Sequence, residues 1–265
     1  MLGWIEFYKN TWIYRYIKQE IYIHYLKKIA DDKYENTIKE GRFKAVEKFK
    51  NIHKNERCFI VGTGPSLKYT DLSVLKNEYT FGVNALCLNF PNMGFVTNYF
   101  VISDFKAFDK LHKIVETYDL DFFVCCDVPE SEKYYRVLTR KDNNYIMDYN
   151  EHSFSNDISK GVGNGNTVIL QAIQIAAFMG FKEIYLLGVD CNYNLPDKEK
   201  YFIDHGIRNK FFKNNGCAMI DDFKKIKQYE EQWNIKIYNA SIGGKLEVFP
   251  RVKLEDVFQE RRNRL

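Results

Sequence analysis

Only five of the 265 residues are proline, and the six cysteines form no Cys-x-x-Cys pair. The first scarcity excludes a proline-rich linker or stalk. The second argues against a disulfide scaffold or a closely spaced zinc site. Cys58, Cys87, Cys125, Cys126, Cys191 and Cys217 are therefore expected to be reduced core residues. No apolar run approaches the roughly 20 residues that a membrane span needs. The longest uncharged stretch, Gly161–Phe181, opens with the polar segment Gly161-Val162-Gly163-Asn164-Gly165-Asn166-Thr167. Glu6, Lys9 and Arg15 interrupt any apolar core of a secretory leader, so a cytoplasmic protein is expected.

A basic excess is missing from most of the chain. Residues 1–55 hold twelve Lys and Arg against seven Asp and Glu, whereas the remainder holds 27 against 28. The body therefore lacks the electrostatic footprint of a nucleic-acid binder. Apolar residues at 45% exclude wholesale disorder, and aromatics at 16% must fill much of the core.

The N-terminal 55 residues contain no proline and read as a helical extension. Trp4, Tyr8, Trp12, Tyr16, Tyr22 and Tyr25 alternate with isoleucines and with Lys9, Arg15, Lys18, Lys27 and Lys28. Such a helix either lies in the headgroup layer of the inner membrane face, through residues 1–30, or packs on the domain or on a second copy of the chain. A second helix is predicted over Tyr34–Ile52, with Phe43, Val46, Phe49 and Ile52 three residues apart.

From residue 56 the pattern changes to short apolar runs bounded by glycine or polar residues. Strands are predicted at Cys58–Val61, Thr80–Val83, Tyr99–Ile102, Asp121–Val124, Glu183–Leu187 and Ile235–Tyr238. Helices are predicted at Val168–Met179 and Asp221–Trp233. Strands alternating with helices imply a single α/β domain: a Rossmann-like, doubly wound, mostly parallel sheet. Ligands of such sheets bind outside the carboxyl ends of the strands.

Three segments fall at those ends. Gly62-Thr63-Gly64-Pro65-Ser66 follows the first strand and is either a tight strand–helix turn or an anion nest built from backbone N–H groups. It matches neither the dinucleotide fingerprint nor the Walker loop. Asn84 and Asp104 end the next two strands, where each is either an ordinary turn residue or a contact to a base, a sugar or an acceptor hydroxyl. The run Gly161–Thr167 enters a helix and makes a second nest candidate through Gly165, Asn166 and Thr167. Beyond the following strand, Asp190 and Asn192 add a carboxylate and an amide to the same edge.

These residues carry a family resemblance. Ile60-Val61-Gly62-Thr63-Gly64-Pro65-Ser66-Leu67 resembles the opening motif of the bacterial sialyltransferases of glycosyltransferase family 42. Gly180-Phe181-Lys182-Glu183-Ile184-Tyr185-Leu186-Leu187-Gly188-Val189-Asp190 resembles their later strand motif. The same pair is similar to signatures of the Maf glycosyltransferases and the archaeal 6-hydroxymethylpterin diphosphokinases. Asn239-Ala240-Ser241-Ile242-Gly243-Gly244 looks more like the latter two. The resemblance covers roughly Arg57–Tyr238 and implies a GT-A-variant, sialyltransferase-like fold.

It also implies a CMP-sugar donor with no tightly bound cofactor and no protein-bound metal. Thr63, Gly64, Pro65 and Ser66 would then line the nucleotide site. Asn84 would meet the cytidine monophosphate, Asn166 and Thr167 the ribose or phosphate, with Asp190 and Asn192 bordering the cleft. The family's general base is a His before the late helix, where this chain has Cys217. His205, in a lid-like segment over 194–216, is the nearest His; Asp104 and Asp190 are the other candidates for the base.

Two enzymatic readings and one binding reading follow from the resemblance. The first is inverting transfer of a nonulosonic sugar from a CMP donor to a cell-surface glycan. The second is pyrophosphoryl transfer from ATP to a pterin alcohol, with Mg²⁺ on Asp104 and Asp190. The third is a nucleotide-binding scaffold that dimerises through its N-terminal helices and has lost its base.

Overall fold

The computed structural model describes residues 42–127, 144–149, 154–196, 199, 201–203 and 215–262. The expected extension over residues 1–41, and most of the lid-like segment with His205, lie outside the described residues.

Among the described residues eight strands form one sheet in which every pairing is parallel. They are β1 (Arg57–Val61), β2 (Tyr79–Val83), β3 (Tyr99–Ile102), β4 (Asp121–Asp127), β5 (Asn144–Tyr149), β6 (Val162–Gly163), β7 (Glu183–Leu187) and β8 (Lys236–Asn239). Their spatial order is β6-β5-β4-β3-β2-β1-β7-β8. The chain winds outward from β1 to β6, crosses back, and lays β7 against the free side of β1. β1 pairs with β7 along its whole length, from Arg57 opposite Glu183 to Val61 opposite Leu187. That reversal of winding makes β1 and β7 the topological switch point, where a crevice opens at the carboxyl ends.

Alternation of side chains along the strands builds two cores, one on each face. Cys58, Ile60, Phe81, Val101, Phe123, Ile184 and Leu186 face α2 (Ile169–Met179) and α3 (Asn215–Lys227). Phe59, Val61, Phe100, Ile102, Tyr185 and Leu187 face α1 (Phe105–Val115) and α4 (Leu254–Arg262). Both faces of each central strand are thus covered, which explains their continuous apolar runs. The Rossmann-like α/β expectation holds.

Several local expectations need correction. The described part of the second N-terminal helix, Arg42–Phe49, is a 3-10 helix. Its three-residue apolar spacing fits that helix, whose period is three. Val46 and Phe49 are buried against the sheet, Phe49 beside Tyr99 and Phe123, whereas Ile52 is 48% exposed. The helix expected over Asp221–Trp233 starts six residues earlier and breaks after Lys227, resuming for one turn at Glu230–Trp233. Cys58, Cys87, Cys125 and Cys191 are buried and in no disulfide, as expected, but Cys217 is exposed. His53 and His112 are packing residues: His53 stacks on Phe181, and His112 is hydrogen-bonded to the Phe108 carbonyl. No helix among the described residues is long and apolar enough to cross a membrane.

Candidate active site at the switch point

The loop after β1 is joined to the loop after β7 by backbone and side-chain bonds. Gly62 N–H donates to the Leu187 carbonyl and Gly64 N–H to the Gly188 carbonyl, both at 2.8 Å. The β1–β7 ladder therefore continues past the strand ends. Gly64 has φ −66°, which any residue adopts, so its requirement is for space. A Cβ there would lie 2.6 Å from the Gly188 carbonyl oxygen and 2.7 Å from Asp190 Oδ2. Pro65 then opens a 3-10 helix, Pro65–Tyr69. Ser66 donates its N–H to Asp190 Oδ2 at 2.8 Å and its hydroxyl to Asp190 Oδ1 at 2.5 Å.

Of the two readings of the first loop, these bonds favour the tight turn. The N–H groups of Gly62, Gly64 and Ser66 are all turned inward and already donate, and Pro65 has none. The glycines serve the close approach of two loops. Thr63, Gly64 and Pro65 stay half-buried at the mouth, and the Thr63 carbonyl accepts from Phe202 N–H at 2.8 Å. The Tyr201–Ile203 segment is thus tied to the crevice.

Asp190 is only 6% exposed. Burial raises its pKa above the usual carboxylate value; the two Ser66 bonds and the nearby Arg251 charge oppose that rise. Proposed from the sequence as a base, it sits here as the group that orders the first loop. Arg251 reaches the site through the Ser241 carbonyl, which accepts from its Nη1 at 3.0 Å. The segment after β8 seals the back of the β7 loop: Ser241 Oγ accepts from Val189 N–H at 3.0 Å, and Lys245 N–H donates to the Asp190 carbonyl at 2.7 Å.

Two amides stand on either side of the first loop. Asn84 ends β2 in the left-handed region, at φ 48°, which aims its side chain differently from a continuing strand. Asn192 follows Asp190 beyond β7. The Oδ1 atoms of both are buried and have no hydrogen-bond partner among the described residues. Buried acceptors normally carry at least one bond, so both oxygens are available to a further donor. β2 and β7 flank β1, which at ~4.8 Å per strand places the two strand ends roughly 10 Å apart.

The second glycine loop is held by a carboxylate that sequence reasoning missed. Asp222, 2% exposed on α3, accepts through Oδ2 from Asn166 N–H at 2.9 Å and from Asn166 Nδ2 at 2.7 Å. A Cβ on Gly165 would lie 2.7 Å from the same oxygen. Thr167 Oγ1 accepts from Ile169 N–H at 3.4 Å, near the start of α2. Gln174, fully buried, bonds both the N–H and the carbonyl of Gly163. A carboxylate inside the apolar face of the predicted late helix, beside Phe223 and Ile226, was the available signal for Asp222. The start of α3 packs directly on the β7 loop, because a Cβ on Gly216 would overlap the Cys191 carbonyl oxygen. The first glycine loop is thus joined to the loop after β7 through Asp190, and the second to α3 through Asp222.

Asp104 ends β3 and caps α1, accepting from Ala107 N–H at 2.8 Å. It is exposed. Asp104 and Asp190, two of the carboxylates that could hold the Mg²⁺ of the pyrophosphoryl-transfer reading, do not fit it as a pair. Three strand spacings, roughly 14 Å, separate the ends of β3 and β7. Among the described residues no three His, Cys, Asp or Glu side chains cluster as metal ligands do. His205, the other expected base, lies outside the described residues.

A family model described as "6-hydroxymethylpterin diphosphokinase MptE-like" matches residues 32–195. No curated protein matches the chain. Among solved structures, the MAf glycosyltransferase from Magnetospirillum magneticum AMB-1 is similar, with 17% identity and a TM-score of 0.52 over 80% of this chain. The match covers 38% of that protein's chain, so the likeness is one of fold over part of its length. The sialyltransferase CstII from Campylobacter jejuni, solved with the substrate analogue CMP-3FNeuAc, aligns over 74% of this chain and 86% of its own, at 20% identity and a TM-score of 0.49.

Proposed function

The chain belongs to the 6-hydroxymethylpterin diphosphokinase MptE-like family; within that family's fold we propose that its switch-point crevice holds a nucleotide-activated donor for glycosyl transfer. The observation that carries this reading is the pair of unpartnered buried oxygens, Asn84 Oδ1 and Asn192 Oδ1, on either side of the first loop. An amide oxygen accepts from an exocyclic amine or from a sugar hydroxyl. A nucleoside supplies both kinds of donor and can bridge the gap between the two strands. Thr63, Gly64, Pro65 and Ser66 form the floor between them, and Gly165, Asn166 and Thr167 form the second wall.

The finer form of the proposal is a CMP-activated nonulosonic donor and a cell-surface glycan acceptor. The acceptor oxygen forms a bond to the anomeric carbon from the face opposite the phosphate. The glycosidic C–O bond breaks and CMP leaves with the electron pair. The acceptor proton passes to a base, for which Asp104 and His205 are the candidates. Asp190, which positions Ser66 through both of its oxygens, is the third candidate.

The family description favours a second reading, pyrophosphoryl transfer from ATP to a pterin alcohol. The separation of Asp104 from Asp190 speaks against the metal pair proposed for it. Calorimetric titration of the full chain with CMP and with ATP–Mg²⁺ separates the readings. We expect CMP to bind, and Asn84→Ala and Asn192→Ala each to weaken it about tenfold, the loss of roughly one hydrogen bond. ATP–Mg²⁺ binding without CMP binding, with pyrophosphorylation of a hydroxymethylpterin, would replace the first reading by the second.

A further inference from the structure

A groove of about 350 Å³ runs between α3 and the segment after β8, lined by Ile220, Lys224, Lys227, Lys245, Glu247 and Val248. Its floor is apolar and its rim is basic. Glu247 bonds Arg251, with Oε1 2.7 Å from Nη2 and 2.8 Å from Nε, so the acid's charge is answered outside the groove. Lys224 pairs with Asp221 at 2.7 Å, but both side chains are more than 60% exposed. Exposed pairs of this kind contribute little and exchange readily for a better partner. Lys227 Nζ donates to the Val248 carbonyl, and Lys245 makes no side-chain bond to any described residue. The groove therefore presents positive charge over two aliphatic side chains.

Both walls are continuous with the switch point. Lys245 N–H bonds the Asp190 carbonyl, and α3 starts against Cys191. At ~1.5 Å rise per residue, Ile220 to Lys227 lie roughly 8 to 18 Å along α3 from its first residue. A ligand in the groove thus lies beside the crevice and not inside it. The volume suits one or two sugar rings. The near-neutral body does not favour a polyanion.

We propose that this groove binds the acidic sugar of the acceptor. The carboxylate meets Lys224 and Lys245, and the ring lies on Ile220 and Val248. The assignment of this ligand as an acceptor rests on the glycosyl-transfer reading; the groove's preference for an acidic sugar can be tested by itself.

The test is an NMR titration of the full chain with cellobiouronic acid, which carries one glucuronic acid, and with its neutral counterpart cellobiose. CMP affinity is measured on the same samples. We expect the acidic disaccharide to bind at least tenfold more tightly than cellobiose. The double variant Lys224→Gln/Lys245→Gln should lose that preference, and Lys224→Arg/Lys245→Arg should keep it. CMP affinity should be unchanged in the single variant Lys224→Gln, since Lys224 lies on α3 away from the donor crevice. Equal binding of the two disaccharides, or a preference that survives in the Gln pair, would overturn the groove assignment. So would lysine-dependent binding of phosphatidylglycerol vesicles without a disaccharide preference. Loss of CMP binding in the unaltered chain, with the disaccharide preference intact, would remove the donor reading and leave the acidic-sugar groove standing.

Discussion

Ser66 donates both its backbone N–H and its hydroxyl to the carboxylate of Asp190, 124 residues further along the chain. This pair locks the loop after β1 to the loop after β7. It also turns inward the donors that would otherwise face a ligand anion. The crevice is therefore shaped by its protein–protein bonds, and its open polarity lies in the amides of Asn84 and Asn192.

Removing either partner should cost stability. Ser66→Ala leaves Asp190 Oδ1 buried without its hydroxyl donor, and Asp190→Asn offers Ser66 one acceptor where two are needed. Each should destabilise the fold by about 1–3 kcal/mol, the cost of an unsatisfied buried group. Urea denaturation with unchanged slope and a lowered midpoint is the expected result.

The same carboxylate has a pH signature. Its folded pKa is raised above the ordinary value of 3.8, chiefly by burial. The folded state therefore binds the proton more tightly than the unfolded chain does. Its contribution is fully present below the ordinary value and is lost as pH rises through the raised one. Wild-type stability relative to Asp190→Asn should fall across that window. A difference that rises with pH, or stays flat, would show that Asp190 is not strained by burial.

Asp222 should govern the order of the second glycine loop. Asp222→Ala removes the acceptor for two Asn166 donors and should cost about 1.5–3 kcal/mol, the range for hydrogen bonds to a charged group. Amide exchange over residues 164–168 should accelerate more than exchange in the β1–β7 ladder. Equal acceleration everywhere would mean a global effect.

Gly64→Ala should also destabilise, although the backbone there is ordinary. The added methyl meets a backbone carbonyl oxygen that cannot swing away. Overpacking of this kind costs about 1–3 kcal/mol. The variant should lower the thermal midpoint and weaken CMP binding together.

Thiol reactivity should separate the cysteines. Cys217 is exposed, whereas Cys58, Cys87, Cys125 and Cys191 are buried. Burial pushes the Cys191 thiol up to about 12, and Cys87 up to about 11. In the folded chain Ellman's reagent should titrate Cys217, and the four buried thiols should appear only in denaturant. Cys217→Ser should abolish the reaction of that site; persistence of its fast phase would place another thiol at the surface.

The central strands were legible because burial on both faces demands uninterrupted apolar runs. Tyr99–Ile102 and Glu183–Leu187 match their predicted bounds for that reason. β5 was not legible, since Asn144 and Asp148 break its pattern near the sheet edge. β6 is only Val162–Gly163 and hides inside a glycine run. The late helix begins at Asn215, ahead of its acidic stretch, because Gly216 fits against the Cys191 carbonyl. That is a contact across the fold, which no local pattern reveals.

By itself the sequence determined the doubly wound parallel sheet and put Gly62–Ser66, Asn84, Gly165–Thr167 and Asn192 at its carboxyl edge. Periodicity and glycine placement are local properties, written in neighbouring residues. Only the tertiary structure decided what those residues do there. Hydrogen bonds and steric contacts act over a few ångströms in space, whatever the separation along the chain. Ser66 thus found Asp190, Asn166 found Asp222, and the oxygens of Asn84 and Asn192 were left without a partner among the described residues.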